Sequence, residues 1–345
     1  MSNLSPLASV KATRAVLEAH GLSTKYSLGQ NFLINDAIVQ KIVTLADLSP
    51  DDGVLEVGPG IGTLTLALLA RAGWIISIER DADLVDVLAQ TTALAADRFA
   101  LISADALHVS AEEIATCAAD LALAAAGSNF IAERPAPTEH SAPAERPALA
   151  EPPALAEHSA PFPNKLVANL PYAVAATIVL DYFERFAALD SATIMVQKEV
   201  ADRMSATPGS KNYGAYTVKL RLYTQVIDRF QVSPQNFFPP PRVDSSVIRL
   251  DRRPLVDENG DPVCASVLRC AARMADAAFA TRRKTIANSC KTYFSGQGAC
   301  GARILPVLPE IFKAANIDPK RRGETLDLDE YIALGRALEA YLERS

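Results

Sequence analysis

Gly53-Val54-Leu55-Glu56-Val57-Gly58-Pro59-Gly60-Ile61-Gly62 is a short apolar run that ends in glycines at every second position. The apolar half reads as a buried strand, and a helix is expected from Gly62 to about Arg71. Alternating glycines let the backbone turn sharply and let a ligand approach main-chain amides with no Cβ in the way. The dinucleotide fingerprint requires glycine three residues after Gly60, where this chain has Thr63. No partner for hydride chemistry is apparent either, so a nicotinamide oxidoreductase is disfavoured.

Working outward, strand and helix alternate. Trp74 to Ile78 reads as a second strand, with Asp81 capping the helix that follows, and Phe99 to Ile102 as a third. Lys165 to Ala168 and Ala192 to Val196 are further strands, with a helix over Val174 to Phe186 between them. A helix through Lys198 to Met204 follows, and Val226 to Val232 with Ser246 to Leu250 form a closing pair of strands. Such alternation predicts an α/β fold with a mostly parallel, doubly wound sheet and a ligand crevice at the carboxyl ends of its strands. Beyond Asp251 the pattern turns helical, at Pro262 to Ala280, Ile304 to Ala315 and Thr325 to Leu342. The expected division is therefore residues 1–250 as a Rossmann-like domain and 251–345 as a smaller all-helical one.

Glu79 ends the second strand, 21 residues after Gly58, where a carboxylate can accept from both hydroxyls of a ribose. Asp105 follows the third strand and can accept from an adenine amino group. Either alone reads equally as a solvated loop acid. Terminating successive strands of one sheet, they converge on one crevice. The glycine spacing after an acidic residue resembles motif I of class I methyltransferases, which implies S-adenosylmethionine as the cofactor. Nothing resembles a Walker A loop.

Composition bounds the alternatives. The chain has 345 residues, 49% hydrophobic and 21% charged, with ample material for a core. No apolar run approaches the roughly 18 residues needed to span a bilayer. Met1 to His20 reads as an amphipathic helix rather than a signal segment, so a soluble cytoplasmic protein is expected. The 5 cysteines form no C-x-x-C pair, which argues against a disulfide framework or a zinc site. The net charge of −6 is localised: Ala111–Pro163 holds 8 acids and 2 bases, leaving the rest of the chain balanced. Basic patches for a phosphate backbone are thus compatible with the acidic total. From about Gly127 to Pro163 the sequence repeats Ala-Glu-Arg-Pro-Ala and Glu-His-Ser-Ala-Pro and holds 8 of the 22 prolines. It is expected to be a disordered insertion, preceded by a helix over Ala111 to Ala126.

Asn169-Leu170-Pro171-Tyr172 closes the strand after the insertion and is the most specific signal in the chain. It has the [N/D]-[P/L/I]-P-[Y/F] form of methyltransferases that act on planar amino nitrogens. The lone pair of such an amine is delocalised into its ring. Two acceptors, the Asn169 side-chain oxygen and the Leu170 or Pro171 carbonyl, can hold both N–H bonds and favour a pyramidal nitrogen. Proline keeps those carbonyls aimed, and Tyr172 can stack on the base. No metal is implied.

Together these residues resemble the KsgA (RsmA) type of ribosomal RNA adenine N6-dimethyltransferase, and more widely the group that includes the Erm methyltransferases. The likeness extends to Ser27–Leu33, Ile78–Asp81, Gln197–Val200, Asn236–Ser245 and Arg282–Thr285. It implies that Asn31 and Leu33 close over the cofactor, with Gly58, Gly60, Glu79, Asp105 and Asn169 completing its site, and that Phe237 faces the target base opposite Tyr172. The implied substrate is small-subunit rRNA within a pre-ribosomal particle, at two adjacent adenosines near its 3′ end. RNA contacts are expected from Arg242, Arg282, Arg283 and Lys284, with Lys320, Arg321 and Arg322 as further candidates, and the protein is expected to be monomeric. Rival readings are an Erm-like enzyme acting on large-subunit rRNA and a non-catalytic assembly factor on the same fold. The chain departs from the family mainly in length, with 64 residues from Asp105 to Asn169, a connection that is far shorter in the family.

Overall fold

The computed structural model describes residues 4–25, 29–125, 161–257 and 259–344. The expected disorder within 127–163 lies almost wholly outside the described residues. What is described of that insertion is its leading helix, which runs from Ala111 to Ala125, and its last three residues, 161–163.

The first half of the chain holds α1 (Val10–Ala19), β1 (Phe32–Leu33), α2 (Asp36–Ala46), β2 (Gly53–Val57), α3 (Thr63–Leu69) and β3 (Trp74–Glu79). Next come α4 (Val85–Thr91), β4 (Phe99–Ser103), α5 (Ala111–Ala125), β5 (Lys165–Asn169), α6 (Ala175–Arg185) and β6 (Ser191–Gln197). Then follow α7 (Lys198–Met204), α8 (Ala215–Arg221), β7 (Thr224–Val232), β8 (Phe237–Phe238) and β9 (Ser245–Arg252). Helices α9 (Ala265–Phe279), α10 (Ile286–Ser295), α11 (Gly298–Ile304), α12 (Leu308–Ala314) and α13 (Leu328–Glu343) complete the chain.

Seven strands hydrogen-bond in the order β4-β3-β2-β5-β6-β9-β7. β2 runs parallel to both β3 and β5, β3 runs parallel to β4, and β7 with β9 forms an antiparallel edge. The expected doubly wound α/β sheet is present. Every residue of β2 is buried, as is all of β3 after Trp74, the mark of strands covered on both faces. The parallel order brings the carboxyl ends of β2, β3, β4 and β5 to one edge, which is where Gly58, Glu79, Asp105 and Asn169 stand.

By compactness the chain forms two units that interleave in sequence: Met1–Val174 with Glu184–Ile194 and Gln235–Pro241, and Ala175–Phe183 with Met195–Pro234 and Arg242–Ser345. The second unit has its own apolar core, in which Ala206, Tyr213 and Val218 pack with the late helices. Tyr213 donates from its hydroxyl to the Leu326 carbonyl at 2.9 Å and meets Phe279 edge to face. Residues well before 250 thus belong to the helical core.

Several elements depart from the sequence reading. The helix expected over Ile304 to Ala315 is broken by a 3-10 turn at Leu305–Val307, and α12 begins only at Leu308. Pro306 and Pro309 remove the amide hydrogens that a continuous helix needs there. Helix α10 has no counterpart among the expected elements. Its amphipathic face is short, and its start is set by Thr285, whose hydroxyl accepts from the Asn288 amide at 3.4 Å.

Candidate functional site

All three glycines of the bend between β2 and α3 take positive φ, +70° at Gly58, +62° at Gly60 and +89° at Gly62. That conformation is costly for any residue with a Cβ, which is why the alternating pattern is there. The Gly58 amide donates to the Ile78 carbonyl at 2.9 Å, which docks the bend on the end of β3. Glu79 is 7% exposed and accepts from the Gly60 amide at 3.2 Å and the Asp81 amide at 2.8 Å. Burial pushes its carboxyl above the ordinary range, and those two amides oppose the shift.

Asp105 stands where expected, after β4, about one quarter exposed. One of its carboxylate oxygens accepts from the Leu107 amide at 3.1 Å and the other meets the Arg80 guanidinium at 3.3 Å. Its placement at the sheet edge beside the Glu79 strand is secured by the Ala104 amide, which donates to the Glu79 carbonyl at 3.0 Å.

Asn169 ends β5, half-buried. Its Nδ2 donates to the Asn31 carbonyl at 3.2 Å. Because only the amino end of the amide can donate to a carbonyl, this bond turns Oδ1 away from Asn31. Leu170 is 1% exposed, while Pro171 and Tyr172 remain half-buried. The Pro171 carbonyl accepts from the Val174 amide at 3.2 Å and so closes the turn into α6. A Cβ on Gly58 would stand 3.7 Å from Pro171 Cδ and 3.8 Å from the Asn169 carbonyl oxygen, so the bend and the tetrapeptide abut.

Asn31 and Leu33 lie at a pairing absent from the sequence reading. β1 and β8 form a two-stranded antiparallel ribbon that sets Phe32 against Phe238 and Leu33 against Phe237. Leu33 is 3% exposed and Phe237 only 2%. Phe237, expected to face a base, is a packed ring here. Phe238 is the partly accessible aromatic, with the Arg14 guanidinium 4.9 Å from its ring centre. Phe32 also covers the bend: a Cβ on Gly60 would approach its ring to 3.1 Å.

The side chains present suit a ligand with hydroxyl and charged groups. Thr63, the first residue of α3 after the bend, is 4% exposed, and its hydroxyl is buried without a hydrogen-bond partner. The bend exposes backbone where side chains would intrude, and Glu79 offers a buried carboxylate beside it. Among the described residues no cluster has the makings of a metal site, and no helix is long and apolar enough to cross a membrane.

Sequence reasoning gives Glu56 no role beyond preceding the glycines. It is 1% exposed, and its Oε2 accepts from the Thr65 hydroxyl at 2.7 Å and the Ser77 hydroxyl at 2.8 Å. Burial, with the neighbouring Glu79 charge adding to it, raises its pKa from 4.5 to about 7. Between those two values the unfolded chain releases a proton that the folded chain retains. Stability from this group is therefore fully present below pH 4.5 and is lost as pH rises through about 7. Glu56→Gln is expected to flatten the fall in urea midpoint across that window, an effect on the order of a few kcal/mol. A slope equal to wild type would show that Glu56 ionises freely.

The four expected RNA-contacting residues lie in the second unit. Arg242 is exposed beside a cavity of about 460 Å³, lined also by Lys198, Glu199, Asp202 and Asp244. Arg283 and Lys284 are exposed. Arg282 donates to the Lys211 carbonyl at 2.6 Å and approaches Glu324 to 3.8 Å, an exposed pairing of little strength. Arg321 is differently placed: it forks onto the Glu330 carboxylate and also donates to the Thr325 carbonyl at 2.7 Å. Its structural partners set it apart from the exposed cations.

A family model described as Ribosomal RNA adenine dimethylase matches residues 21–334. The chain is 36% identical over 334 residues to the Ribosomal RNA small subunit methyltransferase A of Geobacillus kaustophilus, spanning 94% of each. It is 37% identical over 337 residues to the protein of the same name from Bifidobacterium adolescentis, spanning 94% of this chain and 92% of that one. Among solved structures, a dimethyladenosine transferase from Plasmodium falciparum superposes with a TM-score of 0.62 at 20% identity, covering 88% of this chain and 95% of that one. The 23S rRNA methyltransferase ErmE superposes with a TM-score of 0.55 at 21% identity, covering 89% of this chain and 99% of that one. At such identities these two structures speak to the fold, a Rossmann-like methyltransferase sheet.

Proposed function

This chain belongs to the ribosomal RNA adenine dimethylase family, and from that we propose that it transfers methyl groups from S-adenosylmethionine to N6 of two adjacent adenosines near the 3′ end of small-subunit rRNA. The observation that carries the reading is the abutment of Asn169–Pro171 on the glycine bend, with Gly58 facing Pro171. An amine held by the tetrapeptide then lies next to a donor seated on the bend. The relatives that match at 36% and 37% identity over nearly their whole length are named for the small subunit, which favours it over an Erm-like large-subunit target.

In this reading Asn31, Leu33, Gly58, Gly60, Glu79, Asp105 and Asn169 hold the donor, with Glu79 on the ribose and Asp105 toward the adenine. When bound, the donor supplies an electrophilic methyl group on a good leaving group, so positioning and electrostatics suffice. Asn169 Oδ1, turned away from Asn31, accepts one N–H of the target amine. The Leu170 carbonyl is the better second acceptor, because the Pro171 carbonyl already closes the turn with Val174. Tyr172 stacks on the base, and the buried Phe237 backs the β1–β8 wall. The proton shed after attack passes to water or a carbonyl, and no metal is needed. The protein acts as a cytoplasmic monomer on a partly assembled subunit.

The test is to incubate the full chain with labelled donor and small subunits lacking the modification, then map the product. Dimethyladenosine at two neighbouring positions of the small-subunit RNA is the expected result. Label in large-subunit RNA would transfer the assignment to the Erm-like reading, and tight RNA binding without methyl transfer would favour an assembly factor.

RNA binding should rest on shape and on the phosphate backbone. Neutralising Arg282, Arg283 and Lys284 together is expected to weaken binding and to flatten its salt dependence by about one unit of slope for each phosphate no longer neutralised. Filter binding across a salt series measures this. An unchanged slope would remove the cluster from the interface, leaving Arg242 as the cation to test.

A further inference from the structure

We propose that Asp81 is a positioning residue for methyl transfer: through Gln30 its carboxylate anchors the segment whose Asn31 carbonyl orients Asn169. The inference rests on the proposed role of Asn169 and concerns residues outside the donor and amine sites.

Asp81 is 6% exposed, a buried carboxylate two residues beyond Glu79. Its Oδ2 accepts from Gln30 Nε2 at 2.7 Å, and its Oδ1 accepts from Lys25 Nζ at 2.6 Å and from the Asp83 amide at 3.2 Å. Gln30 is itself held at its other end, where Oε1 accepts from the Lys25 amide at 2.8 Å. Both halves of the Gln30 amide are therefore committed, and the residue that follows, Asn31, is carried with it. The Asn31 carbonyl receives Asn169 Nδ2. One more residue on, β1 begins its pairing with β8, and the Ile34 amide donates to the Asn236 carbonyl at 2.9 Å.

The physical need for an anchor is plain. A ribbon of two residues per strand is too short to hold itself in water. A hydrogen bond from Gln30 to the buried Asp81 carboxylate is charge-assisted and stronger than a neutral one. Lys25, one third exposed, adds a more solvated interaction of smaller weight. Asp81 also donates its own amide to Glu79, so one turn after β3 touches both the donor carboxylate and the segment that sets Asn169. Side-chain substitution at Asp81 leaves that amide in place, which separates the two effects.

Gln30→Ala, Asp81→Asn and Lys25→Ala in the full chain test the proposal by two readouts. Hydrogen–deuterium exchange at Phe32 to Ile34 reports the anchor, whatever the substrate. The kcat for small-subunit rRNA, set against S-adenosylmethionine affinity by calorimetry, reports the orientation of Asn169. Gln30→Ala and Asp81→Asn are expected to speed exchange and to lower kcat by about tenfold, with donor affinity within about threefold. Lys25→Ala is expected to change kcat by less than about twofold. Unchanged exchange in both Gln30→Ala and Asp81→Asn would overturn the anchor. Faster exchange with kcat intact, or with donor affinity alone reduced, would overturn the link to Asn169. If the wild-type chain methylates no RNA, the functional reading fails and the link to catalysis with it, while exchange still decides the anchor.

Discussion

Asn169→Ala is expected to lower methyl transfer by about a hundred- to a thousandfold, the scale of removing one preorganised polar group from a reacting centre. Two functions vanish together. The Oδ1 acceptor proposed for the target amine is gone, and so is the Nδ2 donor to the Asn31 carbonyl. The second loss costs the fold little, about 1 kcal/mol for a half-buried bond, so circular dichroism and the melting transition should stay close to wild type. Single-turnover methylation is the measurement, and a rate within tenfold of wild type would remove Asn169 from the chemistry. Asn169→Asp adds a diagnostic: it keeps an acceptor for the amine, but its ionised carboxylate cannot donate to Asn31. Its residual activity therefore reports how much the orienting bond contributes.

Gly60→Ala is expected to reduce S-adenosylmethionine affinity by tenfold or more, measured by calorimetry. At φ +62° any Cβ carries a backbone penalty of about 1–2 kcal/mol. This Cβ would also stand 3.1 Å from Phe32, whose ring is 6% exposed and whose strand pairs with β8. Accommodation pushes either on the β1–β8 ribbon or on the amide that Glu79 accepts, and both belong to the proposed donor site. Gly214→Ala serves as a control, since φ there is −164° and a Cβ would meet open space. Equal donor affinity in the two variants would mean that the bend does not seat the donor.

The candidate site is legible in the sequence in unequal parts. Gly58 to Gly62, Glu79 and Asn169–Tyr172 are readable because each signal is local: a strand pattern ends, and residues of special geometry or chemistry follow within a few positions. Phe237 illustrates the limit. The residues around it identify a wall, yet burial on a two-residue strand, invisible to any periodicity, is what makes it a packed ring and leaves Phe238 the partly accessible one. Arg321 is similar. As one of three consecutive basic residues it reads as a phosphate ligand, and the capping box of α13 instead places Glu330 within its reach.

Local chemistry along the chain is enough to establish an α/β sheet with a glycine bend, an acidic residue at the next strand's end, the Asn169–Tyr172 turn after a further strand and a helical C-terminal region. Those features depend on neighbours a few residues apart, and they survive any arrangement of the remainder. Long-range packing settles the rest. Asn31 meets Asn169 across 138 positions, Asn35 meets Asn236 across 201, and Glu56 finds its hydroxyls on α3 and β3. Which way an amide faces, and how strongly a buried carboxyl holds its proton, depends on groups that only folding brings within 3–4 Å of one another, roughly the reach of hydrogen bonds and close ion pairs.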